Sequence, residues 1–455
     1  MFNSFQPKIR ARFWTGVLRT AIVIILVSPL LYWSTGVGQS AADLSAALSR
    51  QSDGALISSP KAEARRSLML PMRVERLLIY PLLLIAFQLS GGAIALRKRL
   101  ETRIQPNLAQ RLRWLAPWFN FIGKYIPYDW RRRLSGRDLQ IIMLYVVVFS
   151  LGIFLLYLPF NFYRGFILAH QFGLSTQTAP GWLSDWLKNV LINLVIDGLL
   201  WTGLYGLMRL LPRRWPLLGG ALLVLAAFGL TLLNPIIITP LFYQVRRLDD
   251  PELEARILTL ADRAGMPVDA VHVIDASSKT TQVNAYVTSF GETQRIVLFD
   301  TLLAGYTPDE VEVVLAHELG HWYYRHVLLG LMATGAVGWL GLFVLRWLLN
   351  RVWQPLGWRG PADVAGLPLV LAVIALATML SLPVQNLLSR FGENQADEFA
   401  LTVSRKPEAF VGLFEQLVEQ NLTVVDPPAW EKFIFYSHPP VVERLQTAER
   451  YLQEK

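Results

Sequence analysis

The chain has 455 residues, 53% of them hydrophobic and 17% charged, with a mean hydropathy of +0.36 and a net charge of +9. This is too apolar for a water-soluble enzyme of its length, and the basic residues stand in short blocks beside apolar runs, which excludes nucleic acid as a partner. The absence of cysteine excludes disulfides, thiolate metal ligands and cysteine nucleophiles, and leaves the compartment open.

A spanning helix needs about 20 mostly apolar residues. Seven stretches qualify: Trp14–Ser34, Leu77–Leu96, Leu139–Phe160, Val190–Leu211, Leu217–Thr239, Val327–Leu349 and Leu367–Leu388. The first has signal-sequence features, with Lys8, Arg10 and Arg12 before it and Ser40, Ala41 and Ala42 after it; it is read here as a retained span. The chain thus divides into a transmembrane region at 1–240 with five spans, a catalytic segment at 241–326, two further spans within 327–389, and a C-terminal segment at 390–455.

Two regions read as water-facing and structured, from about Tyr243 to Arg325 and from about Arg390 to Lys455. In the first, Leu253, Ile257, Leu260 and Ala261 recur at helical spacing, so Glu252–Gly265 is predicted as an amphipathic helix. The β-branched runs Val271–Ile274 and Arg295–Phe299, with Ala285–Thr288 and a turn at Gly291-Glu292, predict a small sheet. Thr307-Pro308-Asp309-Glu310 then starts a helix running to about Arg325: Thr307 is the N-cap, Pro308 takes the first helical position and Glu310 closes a capping box.

That helix carries His317-Glu318-Leu319-Gly320-His321. Histidines four apart are offset by about 40° and about 6 Å on a helix, so both imidazoles can reach one cation. Glu318 stands beside the metal without binding it, placed to take a proton from a water whose pKa a catalytic zinc lowers to about 7 and to pass it to a leaving amine. Two histidines on an amphipathic helix are otherwise ordinary surface or core residues. Here they are two of only six in the chain, they bracket a glutamate, and their helix is well capped. A third protein ligand is still required. Glu393 and Asp397, four apart just after the last span, share a helical face where one could bind metal and the other accept an imidazole proton; a solvated acidic face is the plainer reading of the same residues.

At this point the residues resemble a family, the type I CAAX prenyl proteases, which are integral-membrane zinc metallopeptidases. The likeness runs from about Leu139 onward. It includes Gln171-Phe172-Gly173-Leu174-Ser175 with Thr178, Asp185 and Lys188, then Pro235 and Pro240-Leu241-Phe242, Asn284-Ala285-Tyr286 and Arg295 to Leu303. It continues through the H-E-x-x-H helix with Trp322 and His326, Glu393-x-Gln395-Ala396-Asp397, Ser437-His438-Pro439-Pro440 and Glu443-Arg444-Leu445. The resemblance implies a mainly α, polytopic membrane protein whose spanning helices, about seven here, enclose a chamber, with a zincin-like α+β catalytic domain. It implies one zinc ion per chain, held by His317, His321 and Glu393, with Asp397 behind the ligands and Glu318 as base. It also implies that Asn284 and Ala285 lie on an edge strand that pairs with an extended peptide. His438 is assigned to the oxyanion and Arg444 to orienting the carboxylates near zinc. His326, about 140° from His321 if the helix continues, is not expected to be a ligand, and His170 and His272 have no motif support.

Charge gives a separate expectation about orientation, because Lys and Arg favour cytoplasmic loops. Basic blocks occur in the N-terminal tail, in the second loop from Arg97 to Arg137, at Arg213 and Arg214, and at Arg351 and Arg359. With seven spans these share one side, and the catalytic segment falls on the extracytoplasmic side of what is read as a bacterial plasma membrane. In the eukaryotic relatives the catalytic domain faces the cytosol, so the charge pattern departs from the family. The function expected is a multi-pass zinc metalloendopeptidase acting on membrane-associated or C-terminally processed polypeptides, prenylated ones included. The alternative is a membrane scaffold or transport protein with a structural zinc site; Glu318, which such a site has no use for, favours the enzyme.

Overall fold

The computed structural model describes residues 7–34, 44–45, 49–50, 56–103, 134–266, 268–288 and 295–454. The Gly291-Glu292 turn, the small residues at 40–42 and the basic residues from Arg111 to Arg133 lie outside these.

The membrane region is built from α1 (Pro7–Ser34), α2 (Pro60–Leu89), α3 (Gly92–Arg103), α4 (Gly136–Phe162), α5 (Ala179–Leu210) and α6 (Trp215–Leu233). Local chemistry sets their starts. Ser59 caps α2 by accepting from the Ala62 N–H, Ser135 and Asp138 form a reciprocal box at α4, and Thr178 caps α5 ahead of Pro180, each satisfying N–H groups that a helix start leaves free. Beyond α4 and α6, single π-helical turns at Tyr163–Ile167 and Asn234–Ile238 carry the chain on to Gln171 and Phe242.

Among the described residues, six helices are long and apolar enough to cross a membrane; a seventh crossing results if α2 and α3, bent by 62°, are taken as one. The predicted second span, Leu77–Leu96, straddles that bend. Its cause is Gly91, whose φ of 84° is open to glycine at little steric cost, and which hydropathy alone does not register. Leu225, Leu340 and Leu380 are 68%, 69% and 75% exposed, an outer surface that suits lipid rather than water.

Contacts tie the loops together at each end of the bundle. At one end Arg209 pairs with Asp138 at 2.7 Å, Arg359 with Glu101 at 2.5 Å, and buried Arg97 with buried Asp363. At the other, Lys279 pairs with Asp185 at 2.5 Å and Arg65 donates to the Asn421 carbonyl at 2.9 Å. The loops therefore alternate between two ends as seven crossings require.

The catalytic segment adds α7 (Pro251–Arg263), started by Asp250, and a four-stranded sheet of β1 (Val245–Arg247), β2 (Val271–Ile274), β3 (Ala285–Val287) and β4 (Ile296–Phe299) in the order β1-β2-β4-β3. β2 and β4 are parallel and the outer pairs antiparallel, with Ala285 opposite Leu298. Then come α8 (Pro308–Tyr323), α9 (His326–Val352), α10 (Leu367–Ser404), α11 (Pro407–Asn421), α12 (Ala429–Phe435) and α13 (Val441–Gln453). One apolar core, including Ile257, Val271, Ile296, Leu315, Leu319, Leu401 and Phe410, joins α7, the sheet, α8 and the C-terminal helices. The change from apolar to polar sequence near residue 389 does not end a helix: α10 runs unbroken through 38 residues, past Pro383, and carries both the last span and Glu393 and Asp397.

Candidate metal centre

The centre forms where α8 crosses α10. Thr307 and Glu310 make the reciprocal cap that starts α8, as the sequence predicts. The two helices touch closely because Gly320 lies at the crossing: a Cβ there would stand 3.0 Å from the Ala396 Cα, tight enough that the facing backbone would have to give way. This contact brings His317 and His321 to the face that carries Glu393 and Asp397.

The Nε2 atoms of His317 and His321 are 3.2 Å apart, and they lie 3.3 and 3.5 Å from the two Glu393 carboxylate oxygens. The three donors fall within 4.8 Å of one another. Ligands about 2.0–2.1 Å from a tetrahedral zinc are about 3.3 Å apart, so the spacing suits that ion. Glu393 Oε2 is buried without a hydrogen-bond partner, an arrangement costly for a carboxylate unless a cation satisfies it.

The groups behind the ligands fix which nitrogen is bare. His317 Nδ1 is 2.9 Å from Asp397 Oδ1; a carboxylate only accepts, so in the neutral imidazole, the form that binds a cation, Nδ1 carries the proton and Nε2 the lone pair. His321 Nδ1 is 2.9 Å from His326 Nδ1, and His326 Nε2 is 3.1 Å from Gln395 Oε1. With the amide oxygen accepting from His326 Nε2–H, neutral His326 accepts at Nδ1, His321 donates there, and His321 Nε2 is bare as well. His326 thus stands behind His321, on the nitrogen that faces away from Glu393. On a continuing helix His326 would face away from His321. In fact α8 ends and Arg325, at φ 56°, turns the chain so that His326 comes back onto His321.

Arg444 donates through Nε to Asp397 Oδ2 at 2.7 Å and through Nη2 to Asp397 Oδ1, lies 4.0 Å from Glu393, and covers the Phe414 ring at 4.0 Å. It holds the carboxylate that holds His317. His438, exposed to a cavity of about 410 Å³, has Nε2 3.3 Å from Glu393 Oε1 and Nδ1 3.0 Å from the Ser437 hydroxyl. Ala285 starts the edge strand β3. The Asn284 carbonyl accepts from Phe299 N–H at 3.1 Å, so Ala285 N–H points to the free side, where the Asn284 side chain accepts it at 2.9 Å. His170, bonded to the Phe166 carbonyl, and His272 on β2 lie outside the cluster.

Glu318 has no hydrogen-bond or ion-pair partner among the described residues. Burial pushes its carboxyl up to about 7, with the Glu393 charge adding and the His317 charge opposing. Burial, followed by the His317 charge, takes His321 down to about 4, which keeps its imidazole neutral as a ligand must be. At His317 burial acts in the same sense, but Asp397 and Glu393 outweigh it and carry the imidazole up to about 9, a measure of the negative charge that a cation would neutralise.

The sequence pattern of Peptidase family M48 matches residues 247–452, and that described as CAAX prenyl protease N-terminal, five membrane helices, matches residues 108–244. An uncharacterized metalloprotease of Bacillus subtilis, YhfN, is 34% identical over 310 residues, 67% of this chain and 72% of the relative. CAAX prenyl protease 1 of Saccharomyces cerevisiae is 30% identical over 321 residues, 66% of this chain and 69% of its own. The crystal structure of S. mikatae Ste24p superposes with a TM-score of 0.71 at 20% identity, covering 98% of this chain and 100% of the other, a likeness of fold.

Proposed function

The chain belongs to peptidase family M48 with a CAAX prenyl protease type of membrane region, and from that premise we propose that it is a zinc endopeptidase that cuts membrane-associated or unfolded polypeptides. The observation that carries the reading is the unpaired Glu318 carboxyl beside three converging metal donors. His317, His321 and Glu393 would hold one zinc ion, and bound zinc supplies polarisation of the scissile carbonyl and a lowered pKa for the attacking water.

The remaining chemistry belongs to side chains. Glu318, with a pKa near neutrality, takes the proton from the attacking water and delivers it to the leaving amine. His438 faces the cavity next to Glu393 and donates N–H to the oxyanion that develops on the carbonyl. Asp397, gripped by Arg444, keeps His317 in the tautomer that binds metal. The substrate lies extended along β3, where Ala285 offers its outward N–H and C=O; to pair there it displaces the Asn284 side chain. A scaffold with a structural zinc site would gain nothing from a half-buried glutamate without a partner among the described residues, which costs stability.

Relatives are named CAAX prenyl protease 1, which supports C-terminally processed chains, with or without a prenyl group, as substrates. Arg97, Arg209 and Arg359 gather at the end of the bundle remote from the metal donors. Together with the positive-inside tendency, this supports an extracytoplasmic reaction centre in a bacterial plasma membrane.

The test is Glu318→Gln in full-length protein. Zinc content should stay at one ion per chain while peptide cleavage falls by about 10²-fold or more. Equal cleavage by both proteins rejects the mechanism, and zinc-free wild-type protein with full activity rejects the metal.

A further inference from the structure

Helix α2 presents arginines on one face, at Arg65, Arg73 and Arg76, a spacing of eight and three residues that spans about 16 Å along the axis. Arg65 is used structurally, donating to the carbonyls of Asn421 and Leu422 at 2.9 and 3.3 Å, and its neighbour Arg66 is paired with Glu431. Arg73 and Arg76 are not so used. Both are exposed, and with half-buried Arg164 from the π-turn after α4 they line a cavity of about 490 Å³. No carboxylate lies within ion-pair distance of any of the three among the described residues. They stand close enough to repel one another: Arg164 feels both Arg73 and Arg76.

Three guanidinium groups around one cavity, with no ion-pair partner among the described residues, make a field that draws an anion into it. The position of the cavity indicates what the anion is. Arg73, Phe435 and Ser437 also wall the neighbouring cavity, into which His438 and Arg444 project beside the metal donors. A polypeptide reaching from the metal donors into the second space meets guanidinium groups, whose forked N–H donors match a carboxylate.

Building on the peptidase reading, we propose that Arg73, Arg76 and Arg164 form a receptor for a carboxylate of the bound polypeptide, and so select substrates by a charged group away from the bond that is cut. Every linear chain bears such a group at its C-terminus; an Asp or Glu side chain offers the same chemistry. The three arginines act on affinity and register. They take no part in proton transfer.

The experiment uses full-length, zinc-loaded protein in detergent and a short fluorogenic peptide of apolar residues in three forms: free C-terminal acid, C-terminal amide, and amide with one Asp near the end. The acid should be cut with a kcat/KM about tenfold or more above the amide, the difference lying in KM, as charge-assisted hydrogen bonds imply. The ratio should shrink as salt rises, and should fall to near one in the triple variant Arg73→Gln, Arg76→Gln, Arg164→Gln. If the Asp peptide follows the acid, the receptor reads any carboxylate; if it follows the amide, it reads the chain end. Both results support the receptor. Equal cutting of acid and amide by wild-type protein overturns it, even if the triple variant does not fold. Absence of cutting of all three peptides, indistinguishable from Glu318→Gln, would instead strike the peptidase reading.

Discussion

Truncating His326 to alanine removes the acceptor 2.9 Å from His321 Nδ1 and leaves Gln395 facing a gap. His321 then has two neutral tautomers in place of one, and only the form with a bare Nε2 can take a cation. Equal population of the two would weaken metal binding twofold, about 0.4 kcal/mol. A larger loss comes from the ring itself, whose rotation about χ2 is no longer pinned at the far nitrogen. Removing the partner behind a ligand histidine costs about 10–100-fold in affinity, equivalent to about 1.4–2.7 kcal/mol. The measurement is competition for zinc against a chromophoric chelator, with circular dichroism to show that the full-length variant is folded. At saturating zinc the variant should regain most of its peptidase activity, because Glu318 and the three donors are intact. Unchanged zinc affinity in folded His326→Ala protein would refute the tautomer argument, as would a loss equal to that of His321→Ala.

Gly320→Ala places a methyl group 3.0 Å from the Ala396 Cα and 3.3 Å from its carbonyl oxygen, so α8 and α10 must part; overpacking of this kind costs about 1–3 kcal/mol, read as a lower thermal unfolding midpoint, and an unchanged midpoint would show that the crossing has slack. The topology is testable because the chain has no native cysteine: of single cysteines at exposed Arg214 and Glu252, only the second should react with a membrane-impermeant maleimide on intact cells. Labelling of only the first would invert the orientation, and labelling of both would reject an odd number of crossings.

What the sequence reveals, and what it hides, follows from the range of each interaction. The cap at Thr307 and the H-E-x-x-H pair depend on neighbours within one turn, so they could be read directly, and β2, β3 and β4 were legible from short β-branched runs. Strand β1 was not, because Val245–Arg247 is only three residues with two arginines exposed; it is a strand because β2 offers it an edge. Whether Glu393 or Asp397 binds metal could not be settled from spacing that serves both equally. The crossing at Gly320 decides the geometry by setting Glu393 against both Nε2 atoms and Asp397 against His317 Nδ1. The direction of His326 is hidden because a single left-handed residue, Arg325, breaks the helical phase between it and His321. The arginine face of α2 is not legible in the sequence because the partners of Arg65 and Arg66, the loop at 421–422 and α12, lie more than 350 residues away.

The unbroken α10 also works as a ruler. Glu393 lies about 39 Å along the helix axis from Leu367 at 1.5 Å per residue, against a hydrocarbon layer about 30 Å thick. On the proposed reading, the depth at which a peptide bond would meet the metal donors is therefore counted out in residues from the far side of the bilayer, along one continuous helix. One residue inserted between those two positions would swing Glu393 by about 100° and take it out of register with both histidines. The lipid-facing half of this helix is thus part of the reaction centre's construction, and a water-soluble fragment cut free of it would lose the reference from which the centre is measured.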